Sequence, residues 1–185
     1  YEICACLVGS EMCIRDSGQL AVFIRFKGCN LNCKYCDTKW ANEQETPSQP
    51  MTEKEILDYV LSTGVKNVTL TGGEPLLREG IENVITVLAE NNLNIEIETN
   101  GSVYLDKIRK LHKENVTFTM DYKLSCSGME KSMCLDNFRI LGKNDTVKFV
   151  VGCHDDLIKT KKIIDDYRLN GKCNLYISPV FGRIK

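Results

Sequence analysis

Cys29, Cys33 and Cys36 stand in the stretch Gly28-Cys29-Asn30-Leu31-Asn32-Cys33-Lys34-Tyr35-Cys36-Asp37-Thr38, with three residues between the first pair and two between the second. Such spacing lets one loop aim three thiolates at one point, as a metal centre requires. A fourth thiolate would close a zinc site or a 4Fe–4S cube, but the local set stops at three. A cube held in this way keeps one iron open to a ligand that is not protein, and an open coordination position is what chemistry needs. Two rival readings use the same residues. A structural zinc ion needs a fourth ligand from Asp37, a histidine or a distant cysteine, and the two histidines, His112 and His154, follow no ligand pattern and read as surface or helix-end residues. A redox dithiol uses Cys33-x-x-Cys36 alone and leaves Cys29 unexplained.

Thr71-Gly72-Gly73-Glu74-Pro75 is a second signal. Gly-Gly turns are common. After a strand, and together with the cysteine loop, this one reads as a place where backbone approaches a ligand and offers carbonyls to an amino group. Arg25 lies four residues before Cys29 in an otherwise apolar run, where a guanidinium needs a partner or solvent. It suits bidentate binding of a substrate carboxylate or a rim salt bridge with Glu98 or Asp37. Thr38 places a hydroxyl beside the cysteines. It either caps a turn or, with waters and substrate oxygens, holds Mg2+.

The elements that must position these residues follow from periodicity. Leu20 to Phe26 is a short apolar, partly β-branched run, the first core strand. Residues 39–51 carry Pro47 and Pro50 and read as a loop. Thr52 and Glu55 form a capping-box pattern before a helix with Ile56, Leu57, Val60 and Leu61 on one face, ended by Gly64. Val65 to Leu70 is a strand. Ile81, Val84, Ile85 and Leu88 mark a helix, Ile95 and Ile97 a strand, and Leu105, Ile108 and Leu111 a helix. Val116, Phe118 and Met120 alternate in a strand that runs into Asp121-Tyr122-Lys123. A helix over about 130–141, a strand Val147 to Val151, a helix from Asp155-Asp156 and a strand Leu175 to Ile177 complete the pattern. Alternating strands and helices mean an α/β fold with a parallel sheet. In such folds ligands gather at the C-terminal ends of the strands, and each unusual cluster falls at such an end: the cysteine loop, Gly-Gly-Glu-Pro, Glu98-Thr99-Asn100-Gly101 and Asp121-Tyr122-Lys123.

The bulk numbers set limits. A chain of 185 residues, 43% hydrophobic and 26% charged, is an ordinary globular mix that fits one domain. A net charge of −1 gives no electrostatic footprint for nucleic acid. No apolar run approaches the roughly 20 residues of a membrane span, and no basic region precedes apolar Ile3 to Val8 as in a secretory signal. Ten cysteines in a small secreted chain would form a disulfide framework. Here, with the clearest of them at metal-ligand spacing, they fit a reducing, oxygen-poor cytoplasm. Cys126, Cys134, Cys153 and Cys173 read as small buried hydrophobes. Residues 1–17 show neither strand nor helix periodicity. Leu7 to Ser17 resembles a translated sequencing-adapter read, so 1–17 is taken as an atypical, foreign segment and 18–185 as the core domain.

Gly18-Gln19-Leu20-Ala21-Val22-Phe23-Ile24-Arg25, the cysteine loop with its Cys36-Asp37-Thr38 ending, Thr71-Gly72-Gly73-Glu74-Pro75-Leu76 and Glu98-Thr99-Asn100-Gly101 together resemble one family over about nine-tenths of the chain. It is the 7-carboxy-7-deazaguanine synthase family of radical S-adenosylmethionine (SAM) enzymes, of queuosine and deazapurine biosynthesis. The resemblance implies a partial (β/α)6 radical SAM barrel with shortened helices. It also implies conversion of 6-carboxy-5,6,7,8-tetrahydropterin to 7-carboxy-7-deazaguanine with loss of ammonia, using a 4Fe–4S cluster, SAM and Mg2+, with flavodoxin or ferredoxin as reductant. By position, Cys29, Cys33 and Cys36 ligate the cluster and Thr38 binds Mg2+. Tyr35, Cys36, Asp37, Gly73 and the segment Asp121-Tyr122-Lys123 lie against SAM, the last where many members carry Ser-Pro-Lys. Arg25 and Thr71 contact substrate. A glycyl-radical-enzyme activating enzyme shares the three cysteines and the Gly-Gly-Glu-Pro turn, and a non-enzymatic metal-binding domain is the reading without catalysis. A homodimer is compatible with the sequence. Two departures stand out: Met12-Cys13-Ile14 occupies the positions of a Gly-Glu-Gly segment that helps hold the pterin, and Lys185 falls where a further helix and closing segment are expected.

Overall fold

The computed structural model describes residues 1–10, 19–43, 45–111 and 114–182. Six parallel strands form its centre in the order β2 (Leu20–Phe26), β4 (Asn67–Gly72), β5 (Asn94–Thr99), β6 (Val116–Tyr122), β7 (Thr146–Val151) and β8 (Asn174–Pro179). Two more strands, β1 (Glu2–Ser10) and the two-residue β3 (Gln49–Pro50), extend the edge beside β2 and run antiparallel to their neighbours. The order β3-β1-β2-β4-β5-β6-β7-β8 leaves β3 and β8 as the two edges, so the sheet is open.

The strand alternation assigns the two faces. On β6, Val116, Phe118, Met120 and Tyr122 are buried, while Thr117, Thr119 and Asp121 are half-buried on the other side. β2 buries Val22, Ile24 and Phe26 and turns Arg25 the opposite way. Registry then lines up polar residues across that other face: Arg25 opposite Thr71, Glu98 opposite Thr119, and Asp121 opposite Lys148. The apolar face is covered by α1 (Glu53–Thr63), α2 (Ile81–Glu90), α3 (Asp106–Leu111), α4 (Asn137–Ile140) and α5 (His154–Asp166), around fully buried Phe26, Phe118, Phe138 and Phe149. Burial of such rings contributes roughly 1.5–3 kcal/mol each.

The capping box forms as expected: Thr52 Oγ1 accepts from Glu55 N, Glu55 accepts from Thr52 N at 2.8 Å, and Gly64 closes α1 at φ +71°. The buried stripe of α1 is narrower than its sequence face, because Leu61 is 45% exposed and only Ile56 and Val60 are buried. On α2, Ile81, Val84, Ile85 and Leu88 are all buried.

Three expectations need correction. Residues 39–51 contain a 3-10 turn at Lys39–Asn42 and the short β3. The helix expected over 130–141 is a 3-10 turn at Glu130–Ser132 followed by the one-turn α4. Glu2–Ser10, read as lacking periodicity, pairs with β2. Its pairing is made by backbone, which needs no side-chain pattern. Tyr1 and Ile3 anchor it: the Tyr1 hydroxyl donates to Gly80 O at 2.7 Å, Met51 N donates to Tyr1 O at 2.9 Å, and Ile3 is buried. The positions Met12-Cys13-Ile14, and His112, lie outside the described residues.

Candidate active site

The cysteine loop leaves β2 and is held from three sides. Gly28 N donates to Ala41 O, Lys34 N to Ser127 O in the turn after β6, and the Tyr35 hydroxyl to Val150 O on β7. Leu31 and Cys33 are the buried anchors of the loop. The Gly72-Gly73 turn meets it back to back: Gly73 N donates to Phe26 O and Glu74 N to Gly28 O. A Cβ on Gly73 would stand 2.1 Å from Gly28 O, and one on Gly72, at φ +139°, 2.1 Å from Phe26 O. These glycines are therefore required by close approach of two backbone segments. The approach expected toward a ligand is, in the structure, an approach to the cysteine loop itself.

Cys29, Cys33 and Cys36 are all free thiols on the wall of one cavity of about 460 Å³ at the C-terminal ends of the strands, a size that suits a small-molecule ligand. Cys29 Sγ accepts from Leu31 N at 3.4 Å and from Asn100 Nδ2 at 3.5 Å. Cys36 Sγ lies 3.7 Å from Thr38 Oγ1. Burial pushes the Cys33 thiol up, opposed by the Lys123 ammonium nearby. Two thiolates on one zinc, at about 2.3 Å each, would sit about 3.8 Å apart. These three do not form a set within 4.8 Å of one another. Three sulfurs that face one space without all closing to within 4.8 Å suit a polynuclear cluster better than a single ion.

The cavity gathers most of the residues that the sequence singles out. Arg25 enters from β2 with its guanidinium 5.9 Å from the Trp40 ring centroid, and it makes no ion pair among the described residues. Thr71 donates to Glu98 at 2.6 Å. Tyr35, Asp37, Thr38 and Gly73 also line the space. Asp121 and Lys123 form a pair at 2.7 Å. Burial works to lower the Lys123 ammonium, but the Asp121 carboxylate, with Cys33 and Tyr35 adding to it, makes the net shift upward. Burial, with Asp121 adding to it, pushes the Tyr35 hydroxyl up to about 12. Asp121 Oδ1 and Asn42 Oδ1 are buried in this wall without a hydrogen-bond partner among the described residues, acceptors fit for a ligand that donates. Tyr122 is the exception: its ring packs against Phe138 and Phe149 on the opposite face of β6.

Other contributors were missed. Glu74 is fully buried and accepts from Thr99 Oγ1, Asn100 N at 2.6 Å and Leu76 N at 3.1 Å, so one carboxylate ties the β4 and β5 ends together. Burial pushes this carboxyl up to about 7, against the pull of those donors. Lys148 lines the cavity from β7. Its signal was the one that drew attention to Arg25, a lone cation in an apolar strand. Cys126 and Cys153, read as separate buried hydrophobes, are brought to 3.0 Å between sulfurs. A smaller cavity of about 220 Å³ lies at the opposite strand ends, where Asn67 and Asn94 bond to each other.

Residues 23–123 match the model of the radical SAM superfamily. The chain is 58% identical over 169 residues to the 7-carboxy-7-deazaguanine synthase of Clostridium acetobutylicum, a match covering 91% of this chain and 76% of that protein. It is 32% identical over 173 residues to the enzyme of the same name from Chlorobaculum tepidum, covering 91% and 75%. Among solved structures, QueE from Escherichia coli superposes with a TM-score of 0.76 at 20% identity, over 98% of this chain and 84% of that one. That likeness shows a shared fold. With these matches added to the cysteine loop and the cavity it faces, the chain belongs to the radical SAM superfamily and, within it, to the 7-carboxy-7-deazaguanine synthase family.

Proposed function

We propose that this protein converts 6-carboxy-5,6,7,8-tetrahydropterin to 7-carboxy-7-deazaguanine with loss of ammonia. The observation that carries the reading is the single cavity in which three free thiols face Arg25 and Thr71 across about 460 Å³. Cys29, Cys33 and Cys36 would hold a 4Fe–4S cluster, and the donor set fits it, since three soft thiolates leave one iron for SAM. Held there, with flavodoxin or ferredoxin as reductant, the cluster and SAM would supply the radical chemistry that removes hydrogen from C6 of the pterin.

The protein's own part is position, shielding and charge. Tyr35, Asp37 and Gly73 would border SAM, and the Asp121–Lys123 pair places a buried charge couple on the same wall. The unpartnered Asp121 Oδ1 would accept from the SAM amino or ribose groups. Arg25 would meet the substrate carboxylate, its fork suited to two hydrogen bonds. Thr71 is fixed in direction by Glu98 and would orient the substrate. Thr38, beside Cys36, would supply one oxygen to Mg2+, which keeps much of its water shell. The reading includes a reducing cytoplasm as the setting. Among the described residues, no helix is long and apolar enough to cross a membrane.

The test is anaerobic reconstitution, then addition of dithionite, SAM and the carboxytetrahydropterin, followed by mass spectrometry. The expected products are 7-carboxy-7-deazaguanine and ammonia. Deoxyadenosine without the deazaguanine would keep the radical SAM assignment and sink the substrate. Zinc without labile sulfide would sink both.

A further inference from the structure

Cys126 and Cys153 have no part in the function proposed above, yet their loops meet beside the cysteine loop. Cys126 lies in the turn Ser125–Ser127 after β6, Cys153 caps the start of α5, and Asp156 sits in the first turn of that helix. The two sulfurs are 3.0 Å apart, and both lie within 4.8 Å of an Asp156 carboxylate oxygen and of each other. We propose that Cys126, Cys153 and Asp156 form a second metal site, which takes one thiophilic divalent ion such as Zn2+.

Donor chemistry, spacing and charge support it. Two sulfurs and a carboxylate are a donor set that zinc accepts, with water as fourth ligand. Opening the sulfur pair from 3.0 Å to the roughly 3.8 Å of two thiolates on zinc needs less than about 1 Å of movement. Among the described residues this is the one set of three such groups so closely placed. Asp156 is fully buried and makes no ion pair among the described residues. Oδ1 accepts from Ser125 Oγ at 2.6 Å and Cys126 N at 3.3 Å, and Oδ2 from Gly152 N at 2.9 Å, which leaves Oδ2 a lone pair for a metal. On binding, both thiol protons pass to solvent. Two thiolates, a carboxylate and a dication sum to −1, a charge favoured at the N-terminus of α5. The ion would clip the β6 and β7 loops together close to Ser127 O and Val150 O, which hold Lys34 and Tyr35.

The test uses the full chain with its iron–sulfur centre reconstituted, so that Cys29, Cys33 and Cys36 are occupied. Under anaerobic reducing conditions it is incubated with Zn2+, desalted, and analysed for zinc and iron beside Cys126→Ser/Cys153→Ser. The expected result is one more zinc per chain in the parent protein, at equal iron and equal circular dichroism. Cd2+ should give a thiolate charge-transfer band in the parent alone. If the double variant misfolds, Cys126→Ser by itself, a one-atom change, should lose the same equivalent. Equal zinc in parent and variant overturns the proposal, and so does a Cys126–Cys153 disulfide found by mass spectrometry in the anaerobic sample. The iron content reports separately on the cluster assignment, so the two readings fail independently.

Discussion

The two groups of cysteines on the strand-end rim are built by opposite routes. Cys29, Cys33 and Cys36 are neighbours in the chain, yet their sulfurs form no set within 4.8 Å and face a shared cavity. Cys126 and Cys153 are 27 residues apart in the chain, yet their sulfurs touch, with a buried carboxylate beside them. Local spacing on a loop leaves room for a large inorganic group. Contact between loops from different strands leaves room for one ion. The sequence announces the first arrangement and is silent on the second.

The contrast can be broken most decisively at Cys33. Cys33→Ala should lose the iron–sulfur absorbance and all deoxyadenosine formation, whereas Cys126→Ser/Cys153→Ser should keep both. Loss of iron from the double variant would show that the two groups are not separate. The next effect in size concerns Glu74, which ties the cluster side of the rim. Burial raises its carboxyl from an ordinary 4.5 to about 7 in the folded chain. Between those values the unfolded chain alone gives up the proton, so the contribution of Glu74 to stability is greatest below about pH 4.5 and falls as pH rises toward 7. The fall is about 3 kcal/mol. Glu74→Gln should flatten that slope in urea midpoints measured from pH 4.5 to 8, and an unchanged slope would remove Glu74 as its cause.

Arg25→Ala should cost about 2 kcal/mol of substrate binding, the loss of charged hydrogen bonds, seen as a KM raised about thirtyfold. SAM cleavage without substrate should be unaltered, and an equal loss there would place Arg25 against SAM instead. Residues 1–17 carry the proposal that a foreign segment replaces the pterin-holding one. Met12→Gly, Cys13→Glu and Ile14→Gly together should raise turnover on the order of tenfold, as better substrate positioning does, with iron and zinc unchanged. Unchanged turnover would refute it. The smallest effect is a control: Thr52→Ala removes the capping box of α1 and should cost about 1 kcal/mol in stability, without altering either metal content.

Legibility tracked the length scale of the interactions. β2 spans Leu20–Phe26, as its apolar run indicated, and the buried stripe of α2 matches its helical spacing. Each is set by residues within one or two turns of one another. The turns at Lys39–Asn42 and Glu130–Ser132 are too short for any period to show. β1 was missed because its pairing with β2 is made by backbone and needs no side-chain period. In the site, Arg25 and Lys148 carried the same signal, a cation inside an apolar strand, but only the first had a flanking motif to draw attention to it.

The sequence by itself determined the three-cysteine loop, the strand ends at which the unusual clusters fall, and the family these residues mark. Those are contiguous patterns, legible without knowing which strands pair. Tertiary structure alone decided what the Gly72-Gly73 turn packs against, that Glu74 joins two strand ends, and that Cys126 meets Cys153. Each depends on which strands become neighbours and in what register, and those relations are fixed by burial across the whole sheet.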